Sequence, residues 1–333
     1  MNTSHSIQYE GEEISYALPT KEERDSQFPL RKILLHLLLF AATFFTTTLA
    51  GVQWMNKNPF DLNNIWLGLP FSISILLFLT AHEFGHFFAA RFHNVRTTLP
   101  FYIPVPPMFV NPFGTMGAVI RIRSEIKSRK ALFDIGIAGP LAGLAVTFII
   151  FFYGIATMPG KEFIYQIHPE YIGKALPDGG LTFGSSLFFY AVSNIISLQQ
   201  YFPPMNEMYH YPYLCAAWFG LLVTALNLIP VGQLDGGHIL YSLLGKKQGR
   251  IARGFLIVLV LISLSGFLPF FSESSETMGW LLWVAILFFI IKPDHPPVAT
   301  EEPLDNSRKL LGWTTLAFFV FIFTPIPLMN FGV

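Results

Sequence analysis

Long apolar runs alternate with short polar stretches along almost the whole chain. Runs at 33–53, 65–92, 131–157, 213–231, 251–271, 277–291 and 310–328 are apolar enough to be read as helices. Crossing ~30 Å of hydrocarbon takes roughly 20 such residues. The pattern therefore predicts an all-α polytopic membrane protein with about seven transmembrane helices. The 277–291 run lies near the lower length limit, and 310–328 ends in Thr324-Pro325-Ile326-Pro327. Residues 183–198 are apolar but broken by Ser and Asn, which suits an interfacial or re-entrant helix rather than a span. Residues 100–123 carry too many prolines for a helix and are too apolar for an ordinary loop. They then become strand-like over 117–123, where Ile120 and Ile122 alternate with Arg121 and Arg123. A small re-entrant β-hairpin is expected there, with an edge open to strand addition. The resulting organisation is a mobile cytoplasmic tail (1–29), a first span and loop (30–64), a core (65–245) and C-terminal spans (246–333).

Composition agrees with this. Hydrophobic residues make up 52% of the 333 and charged residues 13%, against about 25% charged in soluble domains. The formal net charge of zero gives no footprint for nucleic acid. Cys215 is the only cysteine, so no intramolecular disulfide forms. The first 30 residues are acidic and lack the basic-then-apolar order of a secretory signal. Basic residues set orientation. Arg31 and Lys32 precede the first run, Arg91 to Lys130 lie between the second and third, Lys246 to Arg253 follow the fourth, and Lys292, Arg308 and Lys309 precede the seventh. Alternate loops are poor in them, which predicts a cytoplasmic N-terminus and, with seven spans, an external C-terminus.

The candidate chemistry sits at the end of the second run, in LTAHEFGHFFAARF. His82 and His86 are four apart, so on a helix they share one face and can bind one zinc, with Glu83 placed to take a proton from a water. Ionisable groups in a span are costly and mark function. A catalytic zinc takes three protein ligands and keeps one position open. Asp235, in NLIPVGQLDGGH, is the only carboxylate between Glu207 and Glu273 and lies near the same cytoplasmic depth. Alone, its Asp-Gly-Gly setting would read as a turn; beside a motif lacking a third ligand, it reads as that ligand. Pro230 interrupts the helix before it. Asn227 is either an oxyanion donor or an interhelical hydrogen-bonding residue. His238 is either a neighbour that supports the metal site or a helix-end residue. His36, His93, His168, His210 and His295 carry no ligand pattern.

HEFGH at 82–86 and NLIPVGQLDGG at 227–237 resemble the two signatures of the site-2 protease family of intramembrane zinc metalloproteases. Residues 113–143, FGTMGAVIRIRSEIKSRKALFDIGIAGPLAG, look like the chloroplast and cyanobacterial branch and its bacterial relatives. The resemblance covers roughly 65–245. It implies one zinc per chain on His82, His86 and Asp235, with Glu83 catalytic. It also implies transmembrane protein substrates in regulated intramembrane proteolysis, and a multi-pass location in a bilayer, expected to be a bacterial cytoplasmic membrane. The insertion at about 158–212 is too short for the PDZ domain of many relatives. The competing class is a non-catalytic zinc-binding membrane protein: a degenerate protease, a scaffold or a transporter.

Overall fold

The computed structural model describes residues 4–9, 12–17, 30–107, 113–176, 179–265 and 279–331. Two short strands, β1 (Ser4–Tyr9) and β2 (Glu12–Ala17), pair antiparallel within the segment expected as a tail. Helices α1 (Leu30–Trp54) and α2 (Ile65–Phe92) follow. Strands β3 (Phe101–Pro104) and β4 (Thr115–Val119) come next, then α3 (Arg129–Thr157). The insertion holds α4 (Glu162–Ile167), β5 (Gly180–Phe183) and α5 (Leu187–Ser197). The chain continues through α6 (Pro212–Asn227), α7 (Asp235–Leu244), α8 (Gln248–Ser265), α9 (Gly279–Ala285) and α10 (Asn306–Ile322). It ends in β6 (Leu328–Phe331), which pairs antiparallel with β5.

Four helical stretches among the described residues are long and apolar enough to cross a membrane: Leu30–Trp54, Leu62–Phe92, Arg129–Thr157 and Asp235–Ser265. The expected span at 213–231 is the 16-residue α6, whose ~24 Å of rise falls short of the hydrocarbon thickness. It stops at Asn227 because Pro230 cannot continue the hydrogen-bond ladder. Its side chains Leu214, Trp218, Leu221 and Ala225 are buried, so it is a central core helix. Of the 277–291 run, α9 covers Gly279–Ala285 and a π-helical turn Ile286–Ile291 follows; the last residues of the 251–271 run lie outside the described residues. The expected interfacial helix is α5.

Leu34, Leu37 and Leu38 of α1 and Ile257, Val258 and Leu261 of α8 are exposed large apolar side chains. A helix keeps such residues outward only where the surrounding medium is apolar. Helices α2, α3 and α6 pack around the centre, with Phe71, Ile75, Phe151 and Trp218 essentially inaccessible. The α2–α3 contact is the most extensive in the fold. It is close because small residues permit it: a Cβ on Gly85 would lie 2.5 Å from the Ala138 carbonyl oxygen.

The β3–β4 hairpin lies against α1 and α2. Its register pairs Phe101 with Val119, Tyr102 with Ala118 and Pro104 with Thr115, with an irregularity between Tyr102 and Pro104. Strand β4 thus starts earlier than the expected alternation at 117–123; Ile122 makes only an isolated bridge to Thr97. His36 Nδ1 meets the Pro100 carbonyl oxygen at 2.8 Å, Thr80 and Tyr102 hydroxyls are 2.8 Å apart, and Gly114 presses on Thr46 of α1. From His36 to Thr46 is ~15 Å of helix rise, so the hairpin runs well along the bundle.

Candidate metal centre

His82 and His86 fall on one face of α2, one turn apart, and both are buried. Asp235 is the first residue of α7, which begins after the irregular turn from Leu228 to Leu234. Two glycines let that turn fold back on α7. A Cβ on Gly236 would lie 1.9 Å from the Leu228 carbonyl oxygen, and one on Gly237 would lie 2.2 Å from that of Gly232. The Asp-Gly-Gly sequence thus carries the carboxylate inward rather than forming a surface turn.

The three candidate donor atoms form a nearly equilateral triangle. His82 Nε2 and His86 Nε2 are 3.2 Å apart, and each lies 3.4 Å from Asp235 Oδ2. A tetrahedral zinc with bonds of about 2.0–2.2 Å sets its ligand atoms about 3.3–3.5 Å apart. The triangle is that of three corners of such a tetrahedron. Ring polarity fits as well: His86 Nδ1 donates to the Ile135 carbonyl oxygen at 2.7 Å, which leaves Nε2 with a free electron pair. The donor set therefore fits zinc without rearrangement.

Helix α3 supports this geometry from behind. A Cβ on Gly139 would fall 2.1 Å from His86 Nε2, and one on Gly143 3.2 Å from His82 Nδ1. Glycines here are the space into which the two rings fit. The Gly139–Gly143 segment of α3 thus packs directly against the histidine helix.

Glu83 is buried beside the triangle but outside it, and the backbone N–H of Ile120, just past β4, faces its carboxylate. The hairpin thus orients the carboxylate, a contact no sequence pattern carries. Asn227 Nδ2 lies 3.4 Å from His82 Nε2, bordering the same position. His238 turns away: its Nδ1 meets His295 Nε2 at 2.7 Å, and its Cβ faces Gly136. Among the described residues a second cluster also converges, of His168, Glu207 and His210. Asp134, at the start of α3, holds Arg308 through both oxygens at 2.8 and 2.7 Å and accepts from His93 at 2.8 Å.

Residues 70–266 match the model of peptidase family M50. The chain is similar to the "Probable zinc metalloprotease EGY2, chloroplastic" of Arabidopsis thaliana, 28% identical over 290 residues, 86% of this chain and 47% of that protein. It is similar to its counterpart in Oryza sativa subsp. indica at 26% over 292 residues, 86% and 48% respectively. With the "Probable zinc metalloprotease EGY1, chloroplastic" of Oryza sativa subsp. japonica it shares 33% over 178 residues, 54% of this chain and 28% of that protein. The chain spans about half the length of the curated EGY2 relatives. The family match covers both HEFGH and the Asp235 segment and well over half the chain: this protein belongs to peptidase family M50.

Proposed function

We propose that the chain is a zinc endopeptidase that works within the membrane and cleaves transmembrane or membrane-proximal segments of other membrane proteins. The observation that carries this reading is the triangle of His82, His86 and Asp235 with a separately held carboxylate, Glu83, at its side. One zinc held by the three residues would supply Lewis acidity, activating a water and polarising a peptide carbonyl. Glu83 takes the proton of the attacking water and returns it to the leaving amine. Burial and the Ile120 amide keep that carboxylate in a fixed orientation between the two transfers. Asn227 lends its amide to the negative charge that develops on the carbonyl oxygen.

A helix hides its own peptide bonds, so the substrate is cut extended. Strand β4 leads directly to the residue that orients Glu83, and it offers an edge on which an unwound segment can pair. His238 is engaged with His295, which favours an open fourth metal position over the closed four-ligand site of a structural zinc. The arrangement in the bilayer has a cytoplasmic N-terminus and a site near the cytoplasmic face, with the four long helices crossing and α6 enclosed by its neighbours.

The test is cleavage of a panel of single-span proteins co-reconstituted with the purified chain in proteoliposomes, with products mapped by mass spectrometry. Cuts are expected in or next to the span. Glu83→Gln should lower the rate by about 100-fold or more while zinc content stays at the native level. Undiminished cleavage by Glu83→Gln, or no cleavage of any member by a zinc-loaded chain, would overturn the proposal.

A further inference from the structure

The second cluster lies at the far end of the bundle from the first. His210 is in a short helical turn just before α6, with Glu207 three residues earlier, and His168 caps α4 in the insertion. His210 Nδ1 is hydrogen-bonded to the carbonyl oxygen of Trp54, the last residue of α1. Helix α2 begins near that same end, and from Ile65 to His82 is ~25 Å of helix rise. The two clusters are therefore separate sites.

The polarity of the two rings is fixed by what their Nδ1 atoms face. A carbonyl oxygen only accepts, so His210 Nδ1 carries its proton. His168 Nδ1 lies 2.9 Å from Glu170 Oε1, a carboxylate oxygen, and carries its proton too. In the neutral rings both Nε2 atoms are then bare, yet they face each other at 3.0 Å. Glu207 is 2% exposed, and its Oε2 has no hydrogen-bond partner while lying 3.5 Å from His210 Nε2. All three donor atoms lie within 4.8 Å of one another. Three electron-pair donors thus converge, an arrangement that a bound cation would satisfy. The first site is built alike: a ring anchored at Nδ1 by a backbone carbonyl, two Nε2 atoms at 3.2 Å and one half-buried carboxylate. A ring oriented by a carboxylate, as Glu170 orients His168, is the common outer support of metal-bound histidine.

The geometry points to a second metal site on His168, Glu207 and His210, taking a divalent transition-metal ion of the zinc type. Two imidazoles and one carboxylate select such an ion over magnesium or calcium, which prefer all-oxygen sets. Its structural consequence is a clamp. The ion ties the insertion, through His168, to the start of α6 and the end of α1, where Trp54 contacts Phe183 and Tyr209. Nothing in this inference rests on the proposed peptidase activity.

The test uses the full chain purified in detergent, saturated with ZnCl2, desalted and assayed for zinc per chain by mass spectrometry. The native chain should hold two equivalents, His86→Ala one, Glu207→Gln one, and the double variant none. In the His86→Ala background, ZnCl2 should raise the unfolding temperature, and the more exposed substitution His168→Gln should abolish that rise. X-ray absorption of zinc in His86→Ala should report two imidazole nitrogens and a carboxylate oxygen. If His86→Ala holds no zinc and gains no stability from it, the two rings share a proton rather than a metal, and the inference is wrong. It is equally wrong if Glu207→Gln and His168→Gln leave the zinc of His86→Ala in place.

Discussion

Gly139→Ala is a small change, yet it acts directly on the candidate metal centre. The new methyl carbon would lie 2.1 Å from His86 Nε2, 2.4 Å from Cδ2 and 2.5 Å from Cε1. Resting contacts between such atoms are about 3.5–4.0 Å, so the ring must retreat by more than ~1 Å or the helices must part. Retreat of the ring breaks its 2.7 Å bond to Ile135 and moves Nε2 beyond the ~0.2 Å tolerance of a zinc ligand. Parting is resisted by the close approach of Gly85 to Ala138. Changing an outer partner of a metal ligand costs 10–100-fold in affinity; displacing the ligand itself should cost at least about 100-fold. Overpacking adds about 1–3 kcal/mol of destabilisation. The assay is zinc affinity by chelator competition, with helicity followed by circular dichroism. Gly254→Ala, which meets nothing within 4 Å, is the control for helix propensity and should bind zinc normally. A folded Gly139→Ala chain with native zinc affinity would refute the placement of His86 against α3.

Three further outcomes follow from the same geometry. Asn227→Ala should lower kcat by about 100-fold or more with KM and zinc content unchanged; a loss of stability with normal kcat would mark it as an interhelical hydrogen-bonding residue instead. Chelation by 1,10-phenanthroline should abolish cleavage, and ZnCl2 but not MgCl2 should restore it, since imidazole ligands disfavour magnesium. Asp134→Asn removes the carboxylate joining α3 to Arg308 of α10 and His93 after α2. The pair is partly exposed, so about 1–2 kcal/mol of stability should be lost, read as a lower unfolding temperature in detergent.

His82 and His86 were legible because helical periodicity alone puts them on one face. Asp235 was legible for a different reason: no other carboxylate occurs nearby in an apolar region, and Pro230 with the two glycines marks an irregular turn. The hairpin was visible in its prolines, but its strand bounds were not, since pairing with β3 rather than alternation sets them. Span lengths were less legible. An apolar run records burial as well as membrane exposure, and α6 is apolar because it is enclosed by other helices. Other contacts across the bundle left no trace in sequence. Glu83 meets the Ile120 amide through backbone alone. His168 is far from His210 along the chain and shares no period with it, so its pairing depends on how the insertion folds onto the end of α1.

The most direct measurement of the central claim is zinc-edge anomalous diffraction from crystals of the native chain. The account predicts an anomalous peak about 2.0–2.2 Å from His82 Nε2, His86 Nε2 and Asp235 Oδ2 together, with Glu83 outside the coordination sphere. Zinc found only elsewhere in a chain that cleaves its substrates, or zinc ligated by Glu83 or His238 in place of Asp235, would contradict it.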